Sequence, residues 1–84
     1  MDGDGMKQVI ADYIRGEYLE RGQQIDNSTR LISTGIVDSF SMATLKAFLE
    51  DQYGISIPDA RATADAFDAV DSIAALVSEL QSAR

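Results

Sequence analysis

Gly35-Ile36-Val37-Asp38-Ser39-Phe40-Ser41-Met42, followed by Ala43 to Tyr53, is the stretch whose reading decides the fold. Its first half reads as a loop that ends in a capped turn, and its second half as an amphipathic helix. Asp38 is a preferred N-cap residue, and Ser39 is of the same class. Met42, Leu45, Phe48, Leu49 and Tyr53 fall at the spacing of one helix face. Gly54 stands where a C-terminal stop is expected, and Pro58 lies a few residues beyond. The spacing predicts a helix over 39–53 with Ser39 at its positive end, near free backbone N–H groups. That is a favourable place for a phosphate. An Asp-Ser pair at a helix start is usually only a cap. Taken alone, the pair leaves two readings open: a structural cap, or a serine that carries a covalently attached anionic group.

The chain has 84 residues, which points to one domain. A chain this short buries roughly 60–65% of its unfolded surface, so its core is small. There is no cysteine, hence no disulfide and no thiolate metal site. A hydrophobic fraction of 45% is enough for an ordinary apolar core. No apolar run reaches the length of about 18 residues needed to span a membrane. Met1-Asp2-Gly3-Asp4-Gly5 is polar and acidic, unlike a signal peptide. A cytoplasmic monomer is the expectation. Fourteen acids against seven bases give a net charge of −7. The acid gathers in the half that begins at the Asp-Ser pair: residues 38–79 hold eight acids and two bases. Such a surface repels nucleic acid and anionic lipid and steers basic protein surfaces toward it, although ordinary solubility accounts for the charge equally well.

Outward from the central helix, Met6, Val9, Ile10, Tyr13, Ile14 and Tyr18 recur at three- and four-residue steps. They predict a first helix over 6–21, interrupted by Gly16 and closed by Arg21-Gly22. Residues 1–5 are expected to be a disordered tail, and 6–82 the domain. Residues 22–38 form a long connection rich in turn formers, with Leu31 and Ile36 pinning it to the helices; connections of this length tend to be functional. Ile55-Ser56-Ile57 alternates like a strand but has no partner strand, so an extended segment burying one isoleucine is expected. Residues 63–67 are expected to form one short helical turn, counted as a short fourth helix, with Phe67 inward. Asp68 is expected to cap a last helix over 69–82, with Val70, Ile73, Ala74, Val77 and Leu80 as its inner stripe. The fold class is all-α: a small four-helix bundle of three main helices and one short one, with a long loop between helices 1 and 2.

Several chemistries are excluded by residue type. Without histidine no Ser-His-Asp triad can form, and without cysteine there is no thiol nucleophile. No P-loop or dinucleotide glycine pattern is present. Asp2-Gly3-Asp4-Gly5 lacks the spacing and terminal glutamate of a calcium loop, so no metal site is expected. An independent enzyme is not expected.

At Gly35-Ile36-Val37-Asp38-Ser39-Phe40 the chain resembles the acyl carrier protein family, whose signature is an Asp-Ser-Leu-like triplet at the start of the second helix. Phe48-Leu49-Glu50 with Tyr53-Gly54-Ile55-Ser56-Ile57-Pro58-Asp59 is similar to the family's exit from that helix. Phe67-Asp68-Ala69-Val70-Asp71-Ser72-Ile73 is similar to its approach to the last helix. The three stretches stand in the family's order and cover nearly the whole chain.

The resemblance implies that a phosphopantetheinyl transferase attaches 4′-phosphopantetheine from coenzyme A to Ser39, with Asp38 in transferase recognition. The arm's thiol would hold acyl groups as thioesters, delivered by a loading ligase and passed to downstream biosynthetic enzymes. The family docks partners through this helix, which makes Phe40, Ala43, Ala47, Glu50 and Asp51 the implied contact residues. Thr44 and Lys46 stand where fatty-acid-synthase carriers are usually acidic or apolar. That departure, with the Gly-Ile-Val-Asp-Ser-Phe run, looks more like free-standing carriers of secondary metabolism with a polyketide-like or fatty acyl cargo. An aminoacyl or peptidyl carrier is the nearest alternative, although the Gly-Gly-x-Ser core typical of peptidyl carriers is absent. An unmodified helical interaction domain, with Ser39 only a cap, is the third.

Overall fold

The spacing of apolar residues decides which face of each helix turns inward. The computed structural model describes residues 2–19 and 24–82. Helix α1 spans Asp2–Glu17, α2 spans Ser39–Tyr53 and α3 spans Val70–Ser82. Among the described residues there is no strand, and no helix is long and apolar enough to cross a membrane.

Helix α1 begins at Asp2, ahead of its first apolar residue, so residues 2–5 belong to the helix where a disordered tail was expected. It ends at Glu17, one residue after Gly16, rather than at residue 21. Glycine propagates a helix poorly, and the Tyr18 N–H closes the end by donating to the Ile14 carbonyl at 2.9 Å. The expected stop at Arg21-Gly22 lies outside the described residues. Met6, Ile10, Ala11 and Ile14 are buried. Val9, one of the apolar residues whose spacing predicts the helix, is at the surface with 37% of its area exposed. Four-residue steps through 6, 10 and 14 carry the stripe, and Ala11 takes its second edge.

Helix α2 has the bounds its periodicity predicts. Leu45 and Leu49 are fully buried, with Met42, Phe48 and Tyr53 half-buried along the margins. Gly54 ends it in a left-handed conformation (φ 64°, ψ 37°), and its N–H donates to the Glu50 carbonyl. Glycine adopts that geometry without steric cost. Ile55 and Ile57 are both buried, with Ser56 exposed between them. No strand pairs with this extended segment. Instead the Glu50 carboxylate accepts the Ile57 N–H at 2.8 Å.

The short helix expected over 63–67 is a single turn. The Phe67 N–H donates to the carbonyls of Thr63 (3.1 Å) and Ala64 (3.2 Å), and after a long Asp68 N–H bond to the Asp65 carbonyl (3.5 Å) the turn goes no further. Helix nucleation is costly, and this turn has only Phe67 as a fully buried side chain to offset it. Among the described residues the architecture is therefore three helices joined by non-helical connections.

Helix α1 lies along α3, and α2 touches α3 over a shorter stretch. Side chains bridge α1 and the residue after it to α2: the Tyr13 and Phe48 rings stack at 3.8 Å, and the Tyr18 hydroxyl donates to the Ser41 carbonyl at 3.1 Å. Ile10, Ile14, Leu45, Leu49, Val70, Ile73 and Val77 form the centre of the core. Leu31, Val37 and Phe67, all from connections, are equally buried. The Cα radius of gyration, 11.9 Å, matches the roughly 12 Å of a compact chain this long, so the connections are folded against the helices.

Asp68 ties the connection after α1 to the start of α3. It does not cap α3 as expected. Its carboxylate accepts the N–H groups of Ile32 (2.8 Å) and Ser33 (3.0 Å) and the Ser33 hydroxyl (2.9 Å), and it pairs with Arg30 at 3.3 Å. The Leu31 N–H donates to the Asp68 carbonyl and the Asp71 N–H to that of Asn27. At the start of α3 the Ser72 hydroxyl takes over, accepting the Ala69 N–H at 3.2 Å. Only 14% of the Asp68 side chain is exposed. The Ser33 N–H above all, then the Ser33 hydroxyl, the Ile32 N–H and Arg30, hold this carboxyl below its ordinary 3.8. A carboxylate lowered in the folded state stabilises the fold above its unfolded pKa and loses that effect as pH falls through its folded value. Asp68→Ala should therefore melt below the wild type at pH 7 and at pH 5. The gap should close as the pH drops below 3.8, as read by thermal melts across that range.

Candidate functional site

The approach to Ser39 is built by the connection before α2. The Gly35 N–H donates to the Ile32 carbonyl at 3.0 Å, and Gly35 itself is left-handed (φ 83°), which turns the chain back on itself. The Val37 N–H then donates to the Leu31 carbonyl at 2.9 Å. Leu31 and Val37 are fully buried, so two apolar anchors fix the backbone just before it emerges at Asp38.

Asp38 is extended (φ −99°, ψ −177°), and its carboxylate accepts the Ser41 N–H at 2.7 Å. Its carbonyl accepts the Met42 N–H at 2.8 Å. This is an N-cap, with the side chain satisfying one donor the helix leaves free. The Ser41 N–H is the main cause holding the Asp38 carboxyl below its ordinary range, helped by the Ser41 side chain and the Phe40 N–H. Asp38→Ala should lower the melting temperature by about 4–8 °C, the loss of a typical cap in a domain this small. Asp38→Asn should keep most of the stability at neutral pH, since asparagine caps equally well. Melting curves of the two variants by circular dichroism check this.

With the cap taken by Asp38, Ser39 is the first residue of α2. It is exposed, and among the described residues nothing donates to or accepts from its hydroxyl. The residues implied as partner contacts separate into two kinds. Phe40, Ala43, Ala47 and Asp51 are exposed, Phe40 with 82% of its area in solvent. Glu50 is half-buried, and its carboxylate is engaged by the Ile57 N–H.

Beside Ser39 runs an open groove of about 240 Å³, lined by Ser39, Met42, Ala43, Lys46, Asp59, Ala62 and Phe67. One wall is α2 and the other is the segment after Pro58. Lys46 and Asp59 join the walls through an ion pair of 3.1 Å. Asp59, Ala62 and Phe67 are not site candidates by their sequence. Nothing local marks them, because they reach the groove through packing across 20 to 28 residues of chain from Ser39. Lys46, seven residues after Ser39, is two turns along the same helix face, and that spacing is a signal the sequence does carry. A larger concavity of about 400 Å³ lies at the start of α3, lined among others by Arg30, Asp65, Asp68 and Asp71, away from Ser39.

The arrangement leaves the Ser39 hydroxyl accessible and, among the described residues, without a hydrogen bond. The N–H groups of the first turn of α2 are nearby for an anion on that hydroxyl. The residues thus fit a covalent phosphodiester on Ser39, which needs an accessible, uncommitted hydroxyl rather than a closed pocket. No family model matches the chain, and no curated protein matches it.

Proposed function

We propose that the protein is an acyl carrier, holding acyl intermediates as thioesters on a 4′-phosphopantetheine arm attached to Ser39 and moving them between biosynthetic enzymes. The observation that carries this reading is the division of labour at the start of α2. Asp38 does the capping, and Ser39 is left exposed with its hydroxyl uncommitted. In modification, the serine oxygen loses its proton to the transferase and takes the phosphoryl end of phosphopantetheine, with adenosine bisphosphate leaving from coenzyme A. The bound arm supplies the thiol that this cysteine-free chain lacks. The Gly-Ile-Val-Asp-Ser-Phe run, with Thr44 and Lys46 on α2, favours a polyketide-like or fatty acyl cargo of secondary metabolism. The chain acts as substrate and carrier, and catalysis belongs to its partners.

Those partners are a phosphopantetheinyl transferase, a loading ligase and downstream enzymes. Phe40, Ala43, Ala47 and Asp51 offer them an exposed apolar strip with an acid at its far end. The net −6 of residues 38–79 favours basic partner surfaces. Glu50 contributes through the shape of the exit from α2, since its carboxylate is already bonded.

The test is intact-mass spectrometry after incubation with coenzyme A and a broad-specificity phosphopantetheinyl transferase. One phosphopantetheine should be gained, and fragmentation should place it on Ser39. No gain with several such transferases would sink the reading.

A further inference from the structure

We infer that Lys46 is the counter-ion of the arm: it leaves Asp59 to pair with the phosphodiester on Ser39, and so draws the arm into the groove between α2 and the 59–67 segment. This rests on the carrier reading of Ser39.

The argument begins with charge. A phosphodiester on Ser39 adds a negative charge directly beside Asp38 and on the rim of a groove that already holds Asp59. Residues 38–79 contain only two bases. Arg61 is held by Glu79 at 2.6 Å and does not line this groove. Among the described residues, Lys46 is the one basic side chain that does.

Geometry points the same way. Lys46 stands seven residues after Ser39, roughly 10 Å along the axis on the same helix face. Side chains on a helix lean toward its N-terminus, which for Lys46 means toward Ser39. Its present partner is weakly held. The Asp59 side chain is fully exposed, and exposed ion pairs contribute little. Once released, Asp59 is solvated at almost no cost. The exchange opens the bridge that spans the groove and leaves Met42, Ala43 and Ala62, over the buried Phe67, to contact the first, apolar part of the arm.

The experiment compares unmodified and phosphopantetheine-loaded protein by ¹H–¹⁵N and ³¹P NMR, for the wild type, Lys46→Gln, Lys46→Arg and Asp59→Asn. On loading, the wild-type amides of Ala62 and Phe67, across the groove from Ser39, should shift. In Lys46→Gln those shifts should fall by more than half, and the ³¹P resonance should move from its wild-type position. Lys46→Arg should restore both. Asp59→Asn, which frees the lysine, should keep or enlarge them. Circular dichroism of each variant establishes that it is folded. Loaded Lys46→Gln that matches the wild type at Ala62, Phe67 and phosphorus overturns the inference while leaving Ser39 as the attachment point. Loss of the shifts in Asp59→Asn overturns it too, because the ion pair itself would then be shaping the groove. A chain that gains no mass at all removes the carrier reading, and this inference with it.

Discussion

Ser39→Ala should abolish phosphopantetheine transfer completely while leaving the fold intact. The substitution removes one hydroxyl that makes no hydrogen bond among the described residues. Alanine is the best helix former, and the position is exposed, so stability should stay within about 0.5 kcal/mol of the wild type. Helicity and the melting curve should be unchanged. A serine that served as the cap would instead cost about 0.5–2 kcal/mol on removal. The two readings of the Asp-Ser pair therefore differ in a single melt, and intact mass reads the chemistry in the same sample. Ser39→Ala protein that unfolds readily, beside a wild type that no transferase modifies, would leave only the structural reading.

Phe67→Ala should have the largest effect on stability. Phe67 is fully buried, yet it comes from a connection built of isolated turns rather than a helix. Nothing regular in the backbone would hold that segment if its anchor were lost. Truncating a buried phenylalanine costs about 3–5 kcal/mol, from lost transfer energy and the cavity left behind. That is a large share of the roughly 5–15 kcal/mol available to a small domain. Urea denaturation should show a lower midpoint, with Phe67→Leu falling between the variant and the wild type. Phe67 also lines the groove beside Ser39, so the loss would reach the site without touching the serine. A midpoint close to the wild type's would show that the connections do not hold the core together.

Local rules carry most of what was legible before the structure. The bounds of α2 follow from an aspartate before the apolar stripe and a glycine after it. Both act within one turn of the chain, and both do in the fold what their chemistry predicts. Leu45 and Leu49 point inward because a 3.6-residue period admits one apolar face. Where a local rule had two competitors, it erred. Asp68 has the composition of a cap, but its carboxylate meets the Ile32 and Ser33 N–H groups, 35 or more residues earlier in the chain. Glu50 is implied by the resemblance as a partner contact, yet its carboxylate is taken by the N–H of Ile57 in an extended segment with no strand partner.

By itself, then, the sequence determined the helical class, the position of α2, and the Asp38-Ser39 junction at its start. Periodicity and capping are properties of neighbouring residues. Only the tertiary structure decided that Val37 joins Leu31 and Phe67 in the core, that Asp68 and Glu50 hold distant backbone N–H groups, and that Asp59, Ala62 and Phe67 form a groove with Ser39 and Lys46. Those outcomes depend on which distant groups meet once the helices pack, since a buried N–H or an apolar ring takes whichever partner the fold brings to it.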